Sequence, residues 1–256
     1  MEGYPDSDYP HPEPWRADPS LEAFYHNDLI TDVLQRLKSG KEATLYCCRA
    51  HPSAGTELLA AKVYRPLARR SFRNDAIYQE GRFIEDARLR RACAKKTLTG
   101  RNVQFGGWVE HEFEVLCILY DAGADVPAPV AQSGPALLME YLGDEHRSAP
   151  MLKHVHLGAN EASAVFRAIM RNVELFLACD LVHADLSAFN VLYWHGKVKI
   201  IDFPQAVDAF DNPSARSLLA RDIRNVCRHF ARYGINADPG RLVDDLWHRF
   251  LRRELR

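Results

Sequence analysis

The stretch from His183 to Asp202 constrains this chain more than any other. It reads His-Ala-Asp-Leu-Ser-Ala-Phe-Asn, then the apolar Val191–Trp194, the turn pair His195-Gly196, and Lys197–Ile201 ending on Asp202. An apolar helical pattern, Glu161–Cys179, comes before it. A loop carrying Asp185 and Asn190 is therefore followed by a tight hairpin, which returns the chain to its starting point. Asp202 comes back beside Asp185 and Asn190. A lone Asp-x-x-x-x-Asn would read as a turn, but joined to the hairpin and the second carboxylate it is far more specific. The chemistry it suits is phosphoryl transfer, in which a protein orients an acceptor hydroxyl and holds Mg²⁺ against phosphates. Asp185 is the candidate to take the hydroxyl proton. Asn190 and Asp202 are the candidate metal ligands, because hard cations prefer oxygen.

The N-terminal half supplies candidates for the nucleotide. In Ala60-Ala61-Lys62-Val63-Tyr64 a lysine stands among apolar neighbours of an expected strand, Leu58–Tyr64, and from there Lys62 reaches the α/β-phosphates of ATP. Glu110, Glu112 and Glu114 compete to pair with it from an amphipathic helix over Trp108–Ala122. Glu112 is preferred because it shares a face with Leu116 and Leu119. Ser39-Gly40-Lys41 precedes another expected strand, Ala43–Arg49, in the slot of a phosphate-covering loop. There Ser39 and backbone N–H groups near Gly40 would approach phosphate oxygens. Met139-Glu140-Tyr141-Leu142-Gly143 closes a strand begun at Ala136, and Met139, Glu140 and Leu142 are the candidates for holding adenine. The cofactors called for are ATP and Mg²⁺, with Mn²⁺ as the alternative metal.

The remaining pattern gives an α+β architecture with two lobes. Pro5, Pro10, Pro12, Pro14 and Pro19 mark residues 1–19 as a flexible tail. Ser20 is read as the cap of a helix carrying Leu21, Phe24, Tyr25, Leu29, Val33 and Leu37, ending at Ser39-Gly40. Residues 65–107 are polar and basic, with Arg88, Arg90, Arg91, Lys95 and Lys96 clustered. Val130–Gln132 is a further strand, and helices over 214–233 and 239–254 close the chain. The kinase-like domain is thus set at 20–256. Its β-rich lobe covers 20–140, its hinge 140–143 and its α-rich lobe 144–256.

Composition excludes some classes. A formal net charge of −1 over 256 residues gives no global pull toward nucleic acid or anionic membrane. No apolar run approaches the ~20 residues that span a bilayer, and no signal peptide is visible, so no membrane partner is expected. The six cysteines show no C-x-x-C pair, which fits reduced thiols in the cytoplasm. Arg221, Arg224, Arg228 and Arg232 recur at helical spacing. They read as a solvated face with some pairing to Asp222, or as a basic stripe for RNA.

These motifs resemble those of the RIO family of atypical protein kinases. His183-Ala184-Asp185-Leu186-Ser187 with Asn190 resembles its catalytic loop, and Ser39-Gly40-Lys41-Glu42-Ala43 its short phosphate loop. His111-Glu112-Phe113 resembles its helix C, and Ile200-Ile201-Asp202 with Gln205 its metal-binding strand. Asn212-Pro213 and Arg221–Val226 are similar to the helix that follows. The resemblance covers about 20–240 and is closest to the branch without an N-terminal winged helix. Pro204 departs from it, standing where the family usually has Ser. The resemblance implies Ser/Thr phosphorylation, autophosphorylation or ATPase activity on a protein substrate or on the chain itself. More remotely, it implies a ribosomal particle or RNA as partner. Two other readings compete. One is a small-molecule kinase of the aminoglycoside-phosphotransferase type, and the other is an ATP-switched ribosome-assembly factor.

Overall fold

The structure, a computed structural model, describes residues 18–65 and 98–255. The expectations of a flexible tail over 1–19 and of a loop around Arg88–Lys96 fall almost wholly outside those residues. The described chain opens with a 3-10 turn, Pro19–Leu21, whose cap is Asp18 rather than Ser20: the Asp18 carboxylate accepts the Ser20 N–H at 3.0 Å. A short helix α1 (Glu22–His26) follows. The long helix expected to run on to Ser39 is not formed. Asp28 takes a left-handed backbone, φ 52°, and the chain continues as strand β1 (Ile30–Ser39).

Strands β2 (Ala43–Ala50), β3 (Leu58–Tyr64), β4 (Pro129–Ser133) and β5 (Ala136–Glu140) complete an antiparallel five-stranded sheet ordered β1-β2-β3-β5-β4. Alternation along β3 sends Leu59, Ala61 and Val63 into one core with Leu21, Phe24, Ile30 and Val33. The opposite face presents Lys62 and Tyr64. That face is covered by helix α2 (Leu98–Asp121), longer than the expected span at its N-terminal end, through Val109 and Phe113. The lower half of α2, Val115, Leu116 and Leu119, belongs instead to the large core of the helical unit. This one helix is thus packed into both units.

The helical unit contains α3 (Ala159–Ala178), α4 (Ala215–Ala231) and α5 (Pro239–Leu251). Two small ribbons lie with them: β6 (Leu181–Val182) with β9 (Val207–Asp208), and β7 (Val191–Trp194) with β8 (Lys197–Ile200). The link to the sheet passes Gly143, φ 144°, where a Cβ would stand 2.4 Å from the Arg147 carbonyl oxygen. Only glycine fits that close approach. Among the described residues no helix is long and apolar enough to cross a membrane.

Candidate active site

The β7–β8 hairpin delivers Asp202 to the loop that precedes β7. Ile201 N–H donates to the Asn190 carbonyl at 2.9 Å, zipping the end of the hairpin to the end of the loop. Asp202 has φ 75° and Ala184 φ 61°, left-handed positions that cost free energy for a residue with a side chain. The strain turns Asp202 out of the strand line, with its side chain 40% exposed. The loop itself is a closed turn. Asn190 N–H donates to Ser187 O at 2.9 Å, and the Asn190 amide donates to Asp185 O at 2.9 Å and to Asp185 Oδ2 at 3.2 Å.

Three elements meet at Lys62. Its ammonium on β3 donates to Glu112 Oε1 on α2 at 2.7 Å and to Asp202 Oδ1 at 2.6 Å. Glu112 is 3% exposed, while Glu110 and Glu114 are exposed and face away. Burial pushes the Glu112 carboxyl up, opposed by Lys62. Its oxygens are nevertheless satisfied, by Lys62, by the Tyr64 hydroxyl and by Phe203 N–H at 3.2 Å. Burial alone would weaken the Lys62 charge, but the carboxylates of Asp202 and Glu112 reverse this and raise its pKa. Burial likewise opposes ionisation of Asp202, and the Lys62 charge overcomes it, so Asp202 falls below the usual carboxylate value. One helical position before Glu112, His111 Nε2 donates to Ala206 O at 2.9 Å. Helix α2 is thereby fixed to the segment that follows Asp202.

The loop rests on α4. Asp222 is 1% exposed and accepts both flanking amides of Asp185: Ala184 N–H at 2.7 Å and Leu186 N–H at 3.0 Å. Arg221 donates to the Ala184 carbonyl and Asn225 to Leu186 O at 3.2 Å. The reading of Arg221 and Asp222 as a solvated pair is therefore corrected. Both turn inward, because the loop's buried peptide groups need partners. Arg224, Arg228 and Arg232 do stay exposed. His183 is buried and held below its usual range, at about 4, mainly by desolvation. Its Nε2 donates to Ile201 O at 3.2 Å, and its Nδ1 accepts Asp185 N–H at 3.3 Å. Burial pushes the Asp185 carboxyl up, helped by the Asp202 charge and opposed by Arg221.

Other candidates have different surroundings from those anticipated. Ser39, Gly40 and the exposed Lys41 form the β1–β2 turn, but Gly40 N–H donates to Ala43 O at 2.9 Å. That amide closes the turn and is not directed at a phosphate. Ser39 Oγ accepts from Arg65 at 2.5 Å, a residue the sequence did not single out. Met139 lies on β5 between the cores of the two units. Glu140, taken as an adenine contact, uses its carboxylate as a strut. Oε2 accepts Ala128 N–H at 3.0 Å and the Lys199 ammonium of β8 at 3.0 Å. Leu142 O accepts Ala149 N–H at 2.8 Å just beyond.

The donors suit a hard cation. Asp202 offers a partly exposed carboxylate. The Asn190 amide nitrogen is turned to Asp185, leaving Oδ1 as that group's other polar atom. Among the described residues no cluster of three or more His, Cys, Asp or Glu side chains forms a closed metal cage. Few side-chain oxygens, with phosphate and water completing the shell, is the ligand pattern of Mg²⁺.

Residues 45–242 match the family profile described as the RIO domain. The chain belongs to the RIO family. It is 32% identical over 200 residues to the serine/threonine-protein kinase RIO1 of Caenorhabditis elegans, covering 78% of this chain and 37% of that protein. It is also 32% identical over 189 residues to the RIO-type serine/threonine-protein kinase Rio1 of Thermoplasma acidophilum, covering 74% of this chain and 93% of that one. The crystal structure of the Rio2 kinase-ADP/Mg²⁺-phosphoaspartate complex from Chaetomium thermophilum shares its fold. The TM-score is 0.66 at 24% identity, over 89% of this chain and 64% of that one. The chain spans 37% to 43% of the length of the C. elegans, Schizosaccharomyces pombe and C. thermophilum RIO1 proteins. The α+β kinase-like architecture and the family expected from the motifs both stand. The small-molecule-kinase and assembly-factor readings are not favoured.

Proposed function

We propose that this chain is an ATP- and Mg²⁺-dependent phosphotransferase acting on serine or threonine hydroxyls of proteins, itself included. The observation that carries the reading is the Lys62 bridge, which ties β3, α2 and Asp202 together at one point between the two units. Lys62, held by Glu112, is the group for the nucleotide phosphates. Asp185, backed by two buried amide bonds to Asp222, orients the acceptor hydroxyl and accepts its proton. Asp202 and Asn190 would hold Mg²⁺, which supplies charge neutralisation at the phosphate oxygens. Backbone groups of Met139, Glu140 and Leu142 would hold adenine, while the Ser39–Lys41 turn lies over the phosphates. The names of the relatives as serine/threonine-protein kinases support the same reading.

On this reading the kinase domain runs over 20–256 and hinges at 140–143. The free thiols among the described residues suit the cytoplasm. The exposed Arg224 and Arg228 edge of α4 is the surface for the RNA or ribosomal partner that the resemblance implies. Calorimetric titration with ATP tests the site. Asp202→Ala should abolish the Mg²⁺-dependent part of ATP binding, and the exposed Glu110→Ala should not. Equal, mild effects of both would place the site elsewhere.

A further inference from the structure

Phe189 lies between Asp185 and Asn190 in the sequence of the closed loop, yet the residue is 51% exposed. It is not isolated. The Lys153 ammonium stands 5.7 Å from the ring centroid, and the His154 ring meets it edge-on at 6.3 Å. Lys153 N–H donates to Ala188 O at 2.9 Å, so the turn bearing Lys153 and His154 is pinned to the loop. On the other side, the Tyr233 hydroxyl donates to Val155 O at 3.2 Å, which brings the end of α4 and Arg232 to the same place. Arg232 contacts His229 Nε2 at 3.0 Å. Burial, then the charges of Arg232 and Lys153, hold that imidazole down at about 4, so both cations act on one point. Among the described residues neither Lys153 nor Arg232 has a carboxylate partner.

An exposed aromatic platform edged by unpaired cations complements an extended segment carrying acidic side chains. Its place beside Asp185 selects among such segments, because the acceptor must also offer a hydroxyl there. The chain's own Asp6-Ser7-Asp8, outside the described residues, is a serine flanked on both sides by carboxylates.

We propose that Phe189, Lys153, His154 and Arg232 form the docking surface for the phosphoacceptor, and that its occupant is this chain's acidic segment around Ser7. The proposal rests on the reading of Asp185 as the hydroxyl-orienting group. In the transfer, Ser7 Oγ forms a bond to the γ-phosphorus of ATP and the bond from that phosphorus to the β,γ-bridging oxygen breaks. ADP departs with the bonding pair, and the hydroxyl proton passes to the Asp185 carboxylate and on to water.

The test uses the full chain and a synthetic peptide of residues 1–17, with ATP and Mg²⁺. Phosphate should appear on Ser7 in both. Lys153→Glu and, separately, Arg232→Glu should lower peptide phosphorylation relative to peptide-independent phosphate release by about tenfold, through KM rather than kcat. Replacing Asp6 and Asp8 of the peptide by Asn should do the same to the wild-type enzyme. An unchanged ratio in both charge reversals, or phosphate on a residue other than Ser7, overturns the proposal. So does a homopolymeric RNA that binds wild type, fails to bind Lys153→Glu and does not compete with the peptide, because the surface is then an RNA site. Asp185→Asn separates the two levels. If it transfers as fast as wild type, the active-site reading itself fails. If it is inactive while the charge reversals change nothing, only the docking surface fails.

Discussion

Asp222 gives a prediction whose size follows from its surroundings. Burial pushes its carboxyl up to about 7 from an ordinary 3.8, against Arg221 and the amides of Leu186 and Ala184. The folded state therefore keeps this proton over a pH range in which the unfolded chain releases it. A raised folded pKa contributes stability that is full below pH 3.8 and is lost as pH rises through 7. The loss is roughly 1.4 kcal/mol per pH unit, about 4 kcal/mol over the window. Asp222→Asn cannot titrate and should lack this slope. It also keeps an acceptor for only one of the two amides and turns an N–H toward the other, at a cost of about 1–3 kcal/mol. Denaturant unfolding at pH values from 4 to 8 measures both terms. The advantage of wild type over Asp222→Asn should be largest at the acid end and shrink by about 4 kcal/mol toward pH 8. A difference that does not change with pH would show that the two amide bonds and Arg221 outweigh burial, refuting the reasoning.

Two further substitutions probe the links between the units. Lys62→Met leaves the Glu112 carboxylate buried without its cation, so unfolding should become easier by about 3–5 kcal/mol. Turnover should fall on the order of 100-fold, and a variant as stable and active as wild type would remove Lys62 from the site. Lys199→Met breaks the strut to Glu140, and because that pair is partly exposed the loss of stability should stay near 1 kcal/mol or below. A loss of several kcal/mol by thermal or denaturant unfolding would show that the strut bears far more of the hinge than its exposure suggests.

The legible parts of the fold were those whose signal is local. The run from Leu58 to Tyr64 is short and apolar but for Lys62, and it follows a Pro- and Gly-containing turn; the structure forms a strand with those bounds. The β7–β8 hairpin is written in its own two apolar runs and the His195-Gly196 turn. Strand β1 carries a helix-like pattern for a physical reason. Its pairing with β2 slips at Ile30/Asp32, Val33/Gln35 and Arg36/Lys38, so its buried residues, Ile30 and Val33, fall three apart. Bulges break the period of two and imitate helical spacing. In the site, Asp185, Asn190 and Asp202 are drawn together by a short loop and one hairpin, which sequence order alone conveys. Asp222 was hidden because its partners are backbone amides in a distant loop, and backbone groups leave no mark in a residue pattern. The strut role of Glu140 depends on Lys199, a contact created by the packing of the units. Tyr64 was more accessible, since it shares the Lys62 face of β3 and reaches the same Glu112.

The most direct test of the whole account is incubation of the purified chain with γ-labelled ATP and Mg²⁺, wild type beside Asp185→Asn, followed by a denaturing gel and a phosphate-release assay. The account predicts label on the wild-type band and its loss in Asp185→Asn. Label retained in full by Asp185→Asn, or no transfer to protein by wild type, would contradict it.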